Sequence, residues 1–211
     1  MKFLNHILLK FTEYQTLLEK VENNLLPVGV TGLSGIHKAH LIYALCANKN
    51  KRAFVFVSEE SEAQKLANDI SSMGLKPLVY PARDFNFRDV EGQSREYEHE
   101  RLQILLQILN KDCDVVIACP DAALQYTVAP SALKKKIITL HTKDTVKLSD
   151  IASILVACGY EKYKQVDGVG QFAQRGGILD FFPPDAEAPV RAEFFGDEID
   201  TLSYFDPETP R

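Results

Sequence analysis

The chain has 211 residues, 45% of them hydrophobic and 25% charged, with a formal net charge of −5. That is enough apolar material for one large or two modest cores, and the acidic balance argues against nonspecific affinity for a polyanion, which needs a clustered basic surface. The opening MKFLNHILLKFTEYQ is broken by Asn, His, Lys and Thr; neither a signal peptide nor a membrane span of about 20 apolar residues is read there, and a cytoplasmic protein is expected.

Apolar residues at Phe3, Ile7, Leu8, Phe11, Leu17, Leu18 and Val21 predict a helix over Lys2 to Asn24. After Pro27, VGVTGLSG reads as a short strand running into a glycine turn, and IHKAHLIYALCANK as a helix with Ser34 at its N-cap. Arg52 to Ser58 predicts a buried strand, EESEAQKLANDISSMG a helix closed by Gly74, and KPLVYPA a further strand. A long helix follows over Glu91 to Asn110, with Leu102, Leu105, Leu106 and Leu109 on its apolar side, then the apolar strand CDVVIACP. Continuous apolar strands alternating with helices predict an α/β domain whose parallel sheet is covered on both faces.

Beyond Pro120 the pattern changes. Helical pieces at Asp121 to Tyr126 and Lys147 to Cys158 flank a predicted strand at Lys136 to His141, and Gly- and Pro-punctuated antiparallel hairpins follow. The boundary is set near Pro120 to Ala129, giving an α/β domain over 1–120 and a smaller α+β domain over 121–211. There is no internal repeat or low-complexity tract. The ending DPETPR breaks off as a piece of a longer protein would.

Few residues offer chemistry. The turn Gly29-Val30-Thr31-Gly32-Leu33-Ser34-Gly35-Ile36-His37-Lys38 sits where a phosphate-binding loop belongs, but that loop needs G-x-x-x-x-G-K-[ST]. The lysine arrives two positions late at Lys38 and Ala39 replaces the metal-binding hydroxyl, so the reading is a degenerate corner (Gly29, Gly32, Gly35, Lys38) with no bound cofactor. Phe194 to Glu198 resembles an apolar run ending in a metal-binding Asp-Glu, yet a hairpin turn at Gly196-Asp197 accounts for it better. His6, His37, His40, His99 and His141 share no metal or triad spacing. Cys46, Cys113, Cys119 and Cys158 read as small buried thiols. Mixed charges from Arg83 to Arg101 favour a solvated surface, with Arg83, Phe85, Phe87 and Arg88 keeping a nucleic-acid contact as the alternative.

Arg175 stands out, before Gly176-Gly177 and the strand Ile178 to Phe182. Counting straight through the glycines places it on one face with Leu179 and Phe181 unless the two glycines carry a bulge, the alternative they leave open. An interface role and a local salt bridge with Asp180 or Glu193 are weighed evenly from the residues alone.

GVTG followed by a helix, DVVIACPDAAL, and above all QFAQRGGILDFFPP and RAEFFGDEID resemble the N-terminal region of bacterial transcription-repair coupling factors. The same stretches are similar to the excinuclease component UvrB, whose loop continues GSGKT where GLSGIHKAH stands here. The resemblance implies a degenerate, incomplete helicase-like domain near 1–120 and a domain near 121–206 that binds the excinuclease component UvrA. Arg175 would contribute to that contact, with Phe172, Phe181 and Arg191 as weaker candidates from the same strands. Glu161 stands where the family often has a basic residue. A non-catalytic recruitment module of nucleotide excision repair is implied, with an ATP- and magnesium-dependent motor and contacts to DNA and stalled RNA polymerase elsewhere in the protein, and another domain able to mask the docking surface. The rivals are an ATP-dependent helicase fragment and a direct DNA-binding module.

Overall fold

The computed structural model describes residues 6–82 and 96–207, which fall into two compact units. The first draws on residues 6–82 and 107–125, the second on 96–106 and 126–207.

In the first unit the elements are α1 (Thr12–Glu22), α2 (Gly35–Lys49), β1 (Ala53–Phe56), α3 (Glu60–Ser72), β2 (Pro77–Tyr80), the end of α4 (Glu96–Leu109), β3 (Val115–Ala118) and α5 (Pro120–Ala123). The strands form a parallel sheet in the order β1-β3-β2, with Ala53 and Pro77 both in register with Val115. β3 is central, and its uninterrupted VVIA is buried at every residue, as a strand covered on both faces requires. Tyr43 and Ala44 of α2 pack with Leu66 and Ile70 of α3 and Ile117 of β3. Tyr14 ties α1 to this core, its hydroxyl accepting from Asn48 Nδ2 at 2.8 Å.

Three expectations are corrected here. The predicted first helix is interrupted: Phe11 is extended (φ −89°, ψ 126°) and leads into α1. No strand precedes the glycine loop among the described residues, and Leu25 and Leu26 are exposed there. The sheet is not covered on both faces at β1, because β1 alternates: Val55 packs on the core while Phe54 and Phe56 are exposed. Ser34 does sit at the N-cap of α2, but its Oγ pairs with His37 Nδ1 at 2.8 Å instead of a backbone amide. Gly74 lies just past α3 with φ +92°, the left-handed conformation that ends a helix at little cost for glycine.

The second unit contains the start of α4, then α6 (Pro130–Lys136), α7 (Leu148–Ala157), β4 (Glu161–Lys162), β5 (Gln171–Arg175), β6 (Ile178–Phe181), β7 (Val190–Phe195) and β8 (Glu198–Tyr204). The strands make one mixed sheet in sequence order, antiparallel except that β4 runs parallel to β5. Ile151 and Leu155 of α7 pack on Phe172, Leu179, Ala192 and Ile199. The strand predicted at Lys136 to His141 is absent: Pro130 starts a helix that runs through Lys136, and 137–141 join no ladder. The helix predicted at Asp121 to Tyr126 is the single turn α5.

Candidate docking face

The hairpins fix which side chains share a face. Arg175 pairs with Ile178 across the two-residue turn Gly176-Gly177, Gly176 taking φ +58°. Directly opposed residues of an antiparallel pair lie on the same side. One face therefore carries Ala173, Arg175, Ile178, Asp180, Arg191 and Glu193; the other carries Phe172, Leu179, Phe181 and Ala192 against α7. This corrects the grouping of Arg175 with Leu179 and Phe181, because the tight reversal shifts the parity that a continuous strand would keep. Gly177 is needed on its own account: a Cβ there would stand 3.0 Å from the carbonyl oxygen of Phe194, while Phe194 N donates to the Gly177 carbonyl at 2.8 Å.

Asp180 organises the polar face. Its side chain is 2% exposed, and both oxygens are occupied. Oδ1 accepts from Arg191 Nε at 2.7 Å, and Oδ2 accepts from Arg191 Nη2 at 2.9 Å and from Arg175 Nη2 at 2.7 Å. Arg191, directly opposite Asp180 in the ladder, is itself nearly buried and stacks over the Phe205 ring at 4.7 Å from its centroid. The hydrogen bonds it donates to Asp180 push the Arg191 guanidinium above its ordinary range, so it stays charged. Arg175 reaches in from two residues along, across the side of Ala173, and its side chain is still 52% exposed. Two cations thus share one buried carboxylate.

The four residues singled out for partner contact occupy four settings. Arg175 is at the surface, Arg191 is held inside the ion cluster, Phe181 is half-buried against the core, and Phe172, 1% exposed, is in the core itself. The Phe172 side chain has no surface from which to touch a partner. The sequence reading named Asp180 only as a salt-bridge partner for Arg175. The signal for more was present: a single acid inside ILDFF must be compensated if that strand is buried. Glu161 lies on exposed β4 and accepts from the Tyr163 hydroxyl at 3.0 Å.

In the first unit, a cavity of about 580 Å³ beside the degenerate loop is lined by Gly35, Lys38, Val55, Phe56, Ser58 and Glu62. Lys38 Nζ lies 3.4 Å from Glu62 Oε1, and Glu62 Oε2 accepts from Ser58 N at 3.3 Å and Ser58 Oγ at 2.9 Å. The Ser58 donors, then Lys38, hold the Glu62 carboxyl below the usual range. The lysine that would meet phosphate already faces a carboxylate of its own chain.

Gly196, with φ +66°, and Asp197 form the two-residue turn between Phe195 and Glu198, the hairpin expected from the sequence. No group of three His, Cys, Asp or Glu able to hold a metal occurs among the described residues. Cys46, Cys113 and Cys119 are buried thiols, burial pushing Cys46 and Cys113 up from the ordinary value; Cys158 is exposed, contrary to expectation. Arg83, Phe85, Phe87 and Arg88 lie outside the described residues. No helix of the described residues is long and apolar enough to cross a membrane.

Residues 138–211, which include the whole five-stranded sheet, match the UvrB interaction domain. The chain is 28% identical over 202 residues to the transcription-repair-coupling factor of Bacillus subtilis, covering 94% of this chain and 17% of that protein. It is 28% identical over 184 residues to the transcription-repair-coupling factor of Staphylococcus aureus (86% and 16%), and 29% identical over 216 residues to UvrABC system protein B of Burkholderia mallei (95% and 31%). The chain thus spans about a sixth of the coupling factors and under a third of the UvrABC relative. The resemblance read from the sequence is shown by these matches: residues 138–211 match the UvrB interaction domain, within a chain similar along most of its length to transcription-repair-coupling factors and to UvrABC system protein B.

Proposed function

We propose that this chain is a non-catalytic docking module of nucleotide excision repair, which recruits the excinuclease component UvrA through the second unit. The observation that carries the reading is the coincidence of the UvrB interaction domain match with the sheet that presents Arg175 at its surface. Arginine suits such a contact because its planar fork donates in two directions. Here one nitrogen goes to Asp180 and half the side chain remains open to solvent. Arg191 and Phe181 support the face from within, and Phe172 supports it from the core.

The same proposal assigns 1–120 to a degenerate helicase-like scaffold and 121–211 to the docking domain. Likeness to coupling factors supports a role in bringing UvrA to RNA polymerase stalled at DNA lesions, with the ATP- and magnesium-dependent translocase activity and the DNA contacts residing outside these 211 residues. Another domain of the full protein would mask the docking face until it is needed. The Lys38–Glu62 pair beside the degenerate loop favours scaffold over nucleotide site, since a phosphate would have to displace a carboxylate already seated there.

A titration of purified UvrA against wild type and Arg175→Glu tests the reading. Saturable binding by wild type, weakened about 30-fold or more by the reversal with the circular dichroism unchanged, is expected. Equal affinity of the two proteins would overturn it.

A further inference from the structure

We propose that Asp180 is a positioning residue for docking: the buried carboxylate that aims Arg175, and not a group that meets the partner itself. The inference rests on the proposed UvrA-docking function and deepens it. Asp180 is too buried to be touched from outside, with its side chain 2% exposed. Yet it is an anion that both arginines of this face share. A free arginine side chain loses rotamer entropy on being fixed. The Nη2–Oδ2 bond of 2.7 Å restrains that side chain before any partner arrives, and pre-organisation of this kind lowers the cost of association.

The geometry explains why Asp180 can serve both arginines. Arg191 stands opposite it in the β6–β7 ladder and takes it through Nε and Nη2, which uses both carboxylate oxygens and locks the carboxylate plane. Phe205 backs the other side of that guanidinium. On the β5 side the residue opposite Asp180 is Ala173, which has no side chain beyond Cβ to fill the lane along which Arg175 reaches inward. Arg191 therefore orients Asp180, and Asp180 orients Arg175. Arg175 keeps 52% of its side chain exposed and has nitrogens beyond the one bonded to Asp180 with which to meet a partner.

The test is a double-mutant cycle on affinity for purified UvrA, using Asp180→Asn, Arg175→Ala and the pair, each checked for fold by circular dichroism at the titration temperature. Asp180→Asn keeps the shape and one acceptor oxygen but loses the charge. Asp180→Asn in the wild-type background is expected to weaken binding about tenfold, and in the Arg175→Ala background to change it by less than about twofold. Equal losses in both backgrounds would mean that Asp180 acts through the fold alone, and no loss in either would remove it from docking; both overturn the inference. Should Asp180→Asn fail to fold, Arg175→Lys serves instead, because it keeps the charge on an exposed side chain but loses the fork that bonds Asp180 and the partner together. A loss of about tenfold is expected, and full retention would overturn the inference. Failure of the wild type to bind would count against the docking function itself, which separates the two outcomes.

Discussion

Glu62 in the first unit and Asp180 in the second each collect three donor contacts, and the two carboxylates have opposite consequences. Glu62 is 40% exposed, holds Lys38 at 3.4 Å and gains little, because water screens the pair and competes for both ends. Asp180 is sealed between strands, holds two guanidiniums at 2.7 Å, and cannot be removed without leaving charge in a low-dielectric setting. The number of donors does not separate them; burial does. One unit has a corner shaped like a ligand site whose charges neutralise each other in solvent. The other has an ion cluster that is structural at its base and open at one tip.

The largest expected effect sharpens that contrast. Asp180→Ala removes the carboxylate to which both Nε and Nη2 of the nearly buried Arg191 guanidinium are bonded and should destabilise the second unit by about 3–5 kcal/mol; denaturant titration followed by circular dichroism measures it, and a loss under about 1 kcal/mol would break the comparison. Gly177→Ala comes next. Its Cβ would press to 3.0 Å on a backbone oxygen of β7, which has no rotamer to yield, so a cost of about 1–3 kcal/mol is expected by the same assay. Glu62→Gln should change stability by no more than about 0.5 kcal/mol near neutral pH. Its pH dependence has a definite sign. The folded pKa of Glu62 is depressed, so its small contribution is present above the ordinary Glu value of about 4.3 and is lost as pH falls through the lower folded value. Wild type and Glu62→Gln should therefore converge in acid; a gap that widens below about pH 4 would reverse the assignment.

Much of this was legible in the sequence. Uninterrupted VVIA marked the central strand of a parallel sheet, Gly74 marked a helix end, and Gly196-Asp197 marked a hairpin. What was not legible depended on neighbours distant in sequence. AFVF reads as a buried strand, but only its place at the end of the β1-β3-β2 order shows that Phe54 and Phe56 lie on an open side. Phe172 and Arg175 sit three residues apart on one short strand, and nothing in that strand says which side α7 will cover. The parity of Arg175 was misread because a two-residue reversal pairs it with Ile178, whereas counting along the chain carries it to Leu179. The IITLH of 137–141 has strand-like composition, but the preceding proline-started helix claims Lys136 and no ladder forms. Asp180 was visible as an isolated acid within reach of Arg175; Arg191 as its second arginine became evident only once register brought β5 and β7 to either side of β6.

The most direct measurement sets the two units against each other: affinity for purified UvrA of wild type, Arg175→Glu in the second unit and Lys38→Glu in the first, in one buffer. Both reversals alter a half-exposed cation paired with a carboxylate, so they match in charge change; because Asp180 is buried and Glu62 is exposed, the fold of each variant is checked by circular dichroism. Loss of binding on Arg175→Glu with affinity kept on Lys38→Glu is the expected result. Equal weakening by both, or retention with Arg175→Glu, would contradict a docking face on the five-stranded sheet.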